Sequence, residues 1–360
     1  MIVRGRGLLG AGLAALALGA CEPGGSSKTP ETSPANIAAA LDVCGQGRGA
    51  FAQQVCANQE LAALDRTVTE AIAAESADVS DAGAQLLVQN QNRWREAQRV
   101  WCGVTEADAA PSAAQAQCLE SRLRARAQEA RSAVQEMGGY TFQRLELIDA
   151  APVAASIAAA TGREEHAIVR DIRFPRIDGP QTPEVRAFND MVAQQPQFRL
   201  QDATNEIVDY TIAFAGPDII SVRFTYSTDQ LQAATPSSTL RAVNVMMKER
   251  RPLAENDVFV TDSGWQRFLT QRAVREISRQ FSDYPDFPPE RDVFETATKP
   301  HLWVIGERGL TLLFPPLSFG GSHVDGATEV LIPWAELRPY LNPNAPAPIR
   351  SRRCASRPRT

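Results

Sequence analysis

The sequence predicts a multidomain chain: a small disulfide-stapled all-α bundle, followed by an α+β domain with an antiparallel sheet. Three observations carry this. Four cysteines, Cys44, Cys56, Cys102 and Cys118, fall within 75 residues among segments with helical apolar spacing. After about residue 140 the pattern changes to β-rich runs separated by Gly/Pro/Asp turns. Grouped strands with a few helices, rather than a regular β-α alternation, point to α+β.

Residues 1–20 read as a secretory signal. Arg4 and Arg6 supply a positive start, Leu8 to Leu18 contains only Leu, Ala and Gly, and small residues precede Cys21. The apolar run is about half of the roughly 20 residues needed to span a bilayer. Leu18-Gly19-Ala20-Cys21 resembles the lipobox of bacterial lipoproteins, which implies cleavage before Cys21 and lipid on its thiol. Residues 21–35 are polar and rich in Gly, Ser and Pro, and are expected to form a flexible tether. By family analogy Glu22 is compatible with outer-membrane sorting, so the expected location is the periplasmic face of the envelope.

The remaining chain, about 340 residues, implies two or three domains. Between residues 21 and 343 there are 30 basic and 42 acidic residues, a net charge of −12. This favours encounter with a basic partner and argues against nucleic-acid binding.

Residues 36–138 read as a helical bundle. Leu61, Leu64, Val68 and Ile72 recur at helical spacing. Leu86, Trp94 and Trp101 mark a second helix, and Leu119 and Leu123 a third. Asp78–Gly83 and Gly103–Ser112 read as turns, and Gly138-Gly139 as the end of the helical run. The cysteine gaps of 12, 46 and 16 residues lack the short ligand pairs of zinc modules, so disulfides are the expected use in an oxidising compartment. In an up-down bundle the helix ends near Cys56, Cys102 and Cys118 share one pole that Cys44 can reach. The shared pole leaves the connectivity open, and the short-range pairing of Cys44 with Cys56 and Cys102 with Cys118 is taken as the expectation. Cys354 stands apart in the tail.

The run Cys44, Val55-Cys56-Ala57, Glu60-Leu61-Ala62-Ala63-Leu64-Asp65, Gln91, Trp94-Arg95, Cys102, Cys118-Leu119 and Arg122 resembles the LprI-type lysozyme-inhibitor N-terminal domain. Ala71-Ile72 replaces a position where that family often carries an aromatic. The resemblance implies a small exported helical module linked to lysozyme. Asp65 and Arg95 are read as a structural ion pair in preference to a binding feature.

Residues 140–343 give the α+β part. Strands are expected at Ala167–Pro175, Ile207–Ala215, Ile219–Ser227, Leu240–Met247, Leu302–Ile305, Leu310–Phe314 and Thr328–Ile332. Gly216-Pro217-Asp218 and Gly306-Glu307-Arg308-Gly309 signal hairpins. Helices are expected at Pro183–Ala193, with Thr182 as cap and proline at the first position, at Gly264–Phe281, and briefly at Pro333–Leu337. Ile219-Ile220-Ser221-Val222, Asn244, Arg251-Pro252-Leu253, Asp257-Val258-Phe259, Leu313-Phe314-Pro315-Pro316, Asp325-Gly326 and Glu329-Val330-Leu331-Ile332-Pro333 through Leu337 resemble the extracellular sensor region of RsiV, also found beside PdaC-type peptidoglycan deacetylases. RsiV-like domains recognise lysozyme. This chain departs from them at Leu317, at Gly321-Ser322-His323 and at Ala233-Ala234-Thr235.

No catalytic or metal-binding constellation stands out. His166, His301 and His323 are scattered, and no HExxH, GxSxG, P-loop or GxGxxG unit is present. Ser318, Ser322, His323 and Asp325 are too compressed in sequence for a triad and read as a polar loop. That loop, with Leu317, Phe319, Ser322, His323 and Asp325, is the expected partner-binding surface, because loops carry function and its glycines permit unusual backbone. The expectation is a non-enzymatic envelope lipoprotein that needs no cofactor and binds, or inhibits, a lysozyme-type muramidase. The alternative is a peptidoglycan-associated accessory or envelope-stress lipoprotein. Residues 344–360, with five arginines and no acids, are expected to be a disordered basic tail.

Overall fold

The computed structural model describes residues 29–47, 49–105, 110–161, 167–194, 204–231, 236–284, 287–319 and 327–350. The signal and Cys21 lie outside these residues, as does Cys354.

The expected tether ends sooner than its composition suggests. Thr29 to Thr32 makes a short turn, Thr32 is buried, and both the Thr29 amide and the Thr32 hydroxyl donate to the Asp81 carboxylate. Residues 29–35 are therefore docked, because Asp81 at the start of a long helix offers an acceptor to an otherwise polar segment. Six helices follow: α1 (Pro34–Leu41), α2 (Val43–Gln46), α3 (Ala50–Cys56), α4 (Gln59–Glu75), α5 (Asp81–Trp101) and α6 (Ala113–Ala130). The three long ones match the expected helices; the short α1–α3 are additional. Asn58, Ser80 and Ser112 cap α4, α5 and α6, and Gln115 completes a reciprocal capping box with Ser112. Leu61, Val68, Ile72, Trp94, Leu119 and Leu123 are buried together. Leu87, not Leu86, is the fully buried leucine at the start of α5. Gly83 belongs to the first turn of α5 rather than to the preceding turn. A Cβ there would sit 2.7 Å from Asp178 Oδ1, so glycine allows that carboxylate to approach.

The cysteines pair as expected, Cys44 with Cys56 and Cys102 with Cys118, with Cα separations of 5.6 and 5.7 Å. Replacing Cys102 and Cys118 together by serine is expected to lower stability by about 3 kcal/mol, the chain-entropy value for a loop of this length. Urea unfolding checks this. A loss under about 1 kcal/mol would show that the Gln115–Gly103 and Arg99–Val104 hydrogen bonds hold this turn unaided.

The helical run stops at Ala130 and not at Gly138-Gly139. Val134–Met137 (β1) and Tyr140–Pro152 (β2) instead form a hairpin, with both glycines at positive φ, 62° and 82°. The seven-stranded sheet continues through β3 (Ala167–Ile177), β4 (Thr204–Ala215), β5 (Ile219–Gln230), β6 (Ser237–Met246) and β7 (Arg251–Pro252), neighbours in sequence being neighbours in space. All pairings are antiparallel except β3 with β4, which are parallel over Arg170–Ile172. Between β2 and β3 lies α7 (Ala155–Thr161). The β3–β4 crossover carries α8 (Pro183–Ala193), capped by Thr182, which buries Val185, Phe188 and Val192 against Phe142 and Phe224.

A second layer holds α9 (Glu255–Val258), α10 (Trp265–Gln280), α11 (Glu290–Ala297) and α12 (Trp334–Leu337), with a three-stranded antiparallel sheet of β8 (Trp303–Ile305), β9 (Gly309–Phe314) and β10 (Thr328–Pro333) in the order β10-β9-β8. Its core centres on Phe259 stacked on Trp265 at 4.6 Å, with Trp303 edge-on to both. Ser221 and Asn244, cross-strand partners on β5 and β6, stitch the sheets together. Ser221 Oγ accepts from the Ile305 amide, and Asn244 Nδ2 donates to the Trp303 carbonyl at 2.7 Å. The expected disordered tail is corrected over residues 344–350, where Ala345 and Ile349 are buried in this second core; residues 351–360 lie outside the described residues. Arginine content masked a short apolar segment with somewhere to dock. The described residues thus form a helical part and a sheet part that share a core, since Ile148 of β2 is buried among the bundle side chains.

Candidate partner-binding site

The expected binding loop begins where β9 ends. Pro315 accepts from both the amide and the hydroxyl of Ser318, which closes a tight turn. Within it Leu317 takes φ 67° and is 71% exposed. A branched, apolar side chain at positive φ is uncommon and costs of order 1–2 kcal/mol, so the rest of the turn must impose it.

That constraint comes from Phe319. It was expected on the surface, and the structure places it inside, 9% exposed, stacked on Phe314 at 5.4 Å and edge-on to Phe287 at 5.2 Å. Phe287 in turn meets Phe281 at 5.6 Å and Tyr284 at 6.4 Å. Ser278 holds the Phe287 carbonyl at 2.9 Å. An aromatic base thus anchors the turn to the end of α10, while Leu317 and Tyr284, 44% exposed, project from it. Ser322, His323 and Asp325 lie outside the described residues. Tyr284 and its aromatic base were not singled out in the sequence; the Phe-x-x-Tyr-x-x-Phe spacing after a helix was the only available signal.

Two buried ion-pair systems are the other concentrations of charge. Arg95 binds Asp65 through Nε and Nη2 at 3.1 and 2.8 Å, and Nη2 also donates to the Leu41 carbonyl and Thr69. Both side chains are about 95% buried, so the pair ties α1, α4 and α5 together and presents nothing to a partner. The second system joins bundle to sheet. Arg126 of α6 forms a two-pronged pair with Glu146 of β2 at 2.9 and 2.8 Å, and Arg144 adds a 2.7 Å contact. Gln91 and the face of Trp94 hold the Arg126 guanidinium. Asn90 and Arg93 of α5 bind the backbone of β2 at Arg144 and Glu146, which covers an otherwise bare strand edge. Burial pushes the Glu146 carboxyl up, but Arg126 and Arg144 outweigh it and hold the group at about 2.

With this geometry in place, the chain can be set beside known proteins. The structural neighbours are DUF3298 family proteins. One is a crystal structure from Bacteroides fragilis, 12% identical, with a TM-score of 0.42, covering 58% of this chain and 96% of that one. Another, from Pseudomonas aeruginosa, is 13% identical with a TM-score of 0.41, covering 57% of this chain and 96% of that one. No protein-family model and no curated protein sequence matches. Among the described residues no helix is long and apolar enough to cross a membrane.

Proposed function

We propose that this chain is a non-enzymatic envelope lipoprotein, exported and anchored through lipid on Cys21, that binds a basic, lysozyme-type muramidase. The observation that carries the reading is the exposure of Leu317 and of the Tyr284 ring at one aromatic base, Tyr284 against Phe287 and Leu317 two residues before Phe319. Interface hot spots are commonly such anchors, surrounded by a polar rim. The excess of acidic over basic residues between 21 and 343 supports a basic partner, whose association such a charge speeds and makes salt-sensitive. Two disulfides support an oxidising compartment.

The test is calorimetry of the purified full chain against lysozymes of several types at low salt. Leu317→Asp is expected to weaken binding by about tenfold or more, the effect of losing one interface anchor. The unfolding midpoint should stay unchanged or rise, because a residue tolerant of positive φ relieves strain. Absence of binding to every lysozyme type, or unchanged affinity in Leu317→Asp, overturns the reading. A peptidoglycan-associated role is the second reading; a cavity at the far end of β9 favours it.

A further inference from the structure

The turn between β8 and β9, helix α12 and the chain after Leu341 enclose an open cavity of about 880 Å³. Its walls are of two kinds. Pro333, Leu341 and the buried Ile349 make an apolar floor. Arg308, Arg338 and Arg350 stand around it, each exposed, and none has an ion pair or a side-chain hydrogen bond among the described residues. Glu307 is the one carboxylate in the lining.

Trp334 sets the character of the site. Its indole N–H is already spent on the Gly306 carbonyl at 2.9 Å, and its backbone amide donates to the Arg308 carbonyl. The ring is therefore fixed to the turn that carries Arg308 and has no donor left. What it offers the cavity is apolar aromatic surface.

We propose that this cavity binds an anionic saccharide, a sugar ring carrying carboxylate or phosphate groups. Three guanidiniums in an otherwise acidic body are suited to two-pronged recognition of such anions. The cavity is in the range of small-molecule sites and is far larger than one inorganic ion requires. An aromatic surface beside an apolar floor suits the C–H face of a sugar, and the Glu307 carboxylate accepts from its hydroxyls. Gly309, which opens β9, fixes the turn. A Cβ there would come within 2.2 Å of the Ile332 carbonyl, so β10 and α12 are held tightly against it. The cavity lies at the start of β9, and Leu317 follows its end about 20 Å away. The two sites are independent. This one deepens the peptidoglycan reading, and its failure leaves the lysozyme reading standing.

The experiment is titration of the full chain, followed by tryptophan fluorescence and calorimetry. The probes are N-acetylmuramic acid, whose lactyl carboxylate is free, N-acetylglucosamine 6-phosphate, neutral chitobiose and inorganic phosphate. At least one of the two anionic sugars is expected to bind, more weakly as salt rises. Arg308→Gln with Arg338→Gln is expected to lower that affinity by about tenfold or more. Both arginines are exposed, and circular dichroism should confirm that the fold is kept. Trp334→Phe should weaken the sugars and leave phosphate unchanged. Binding of N-acetylmuramic acid alone assigns the source to cell wall, and binding of the phosphosugar alone to phosphorylated glycans; either supports the site. Failure of both anionic sugars to bind, equal binding by the double arginine variant, or phosphate binding as tightly as both sugars would overturn it.

Discussion

Glu146→Ala is expected to destabilise the protein by about 3–5 kcal/mol, the usual result of leaving a buried charge without its partner. Arg126 is 4% exposed, Gln91 and Trp94 are neutral, and the carboxylate that remains, Glu129 at 3.5 Å, makes no hydrogen bond to it and replaces Glu146 only in part. The same carboxylate makes a testable contribution to acid sensitivity. Its folded value of about 2 lies below its ordinary 4.5. A group depressed in this way stabilises above the unfolded value and loses that contribution as pH falls from 4.5 to about 2. The shift corresponds to about 3 kcal/mol. Asp171 on the neighbouring strand is moved the opposite way by burial, despite Arg173, so the wild-type curve alone mixes two signs. The informative quantity is the difference between wild type and Glu146→Gln, from urea unfolding at pH 7 and pH 3. That difference should shrink at the lower pH. A difference that is constant with pH would sink the assignment. Because Glu146 also anchors bundle to sheet, tryptophan fluorescence and far-ultraviolet dichroism should report one coincident transition.

The same junction explains what sequence reading reaches and what it misses. The three long helices and most of the strands have one apolar face each, and their spacing exposes them. Helix α8 runs over the residues expected, because Thr182 and Pro183 encode its start and Val185, Phe188 and Val192 its buried face. Strand β2 went unread for a physical reason. It is covered on both sides, and on the bundle side the buried positions include Gln143 and Glu146. Polar residues satisfied by partners from another element erase the alternation that marks a strand. The glycine pair at 138–139 then read as a helix end rather than a hairpin. At the candidate site the loop was legible but not its inside and outside. Phe319 and Leu317 are two residues apart with similar hydropathy, and only the aromatic partners supplied by α10 and its following turn send one inward.

Asp65→Ala is the second large effect, and the contrast with Glu146 is its point. The single substitution is expected to cost about 3–5 kcal/mol, because it leaves Arg95 charged and about 95% buried. Yet burial raises the Asp65 carboxyl above its ordinary 3.8, outweighing Arg95, and burial also lowers the Arg95 guanidinium. One guanidinium does not recover what desolvation removes here, whereas the two around Glu146 do. A raised folded value means that the Asp65 contribution is greatest below 3.8 and is lost as pH rises, opposite in sign to Glu146. Removing both charges should then be tolerated: Asp65→Leu with Arg95→Met is expected within about 1 kcal/mol of wild type, or above it. The double variant also loses the hydrogen bond from Arg95 to the Leu41 carbonyl at 2.8 Å, which costs about 1 kcal/mol and leaves that carbonyl only the longer contact from the Thr69 hydroxyl at 3.5 Å. Urea unfolding of the two single variants and the double variant closes the cycle. If the double variant is as unstable as Asp65→Ala, the pair is net stabilising and burial does not dominate it. If it recovers, the pair holds α1, α4 and α5 in register at no net gain in stability.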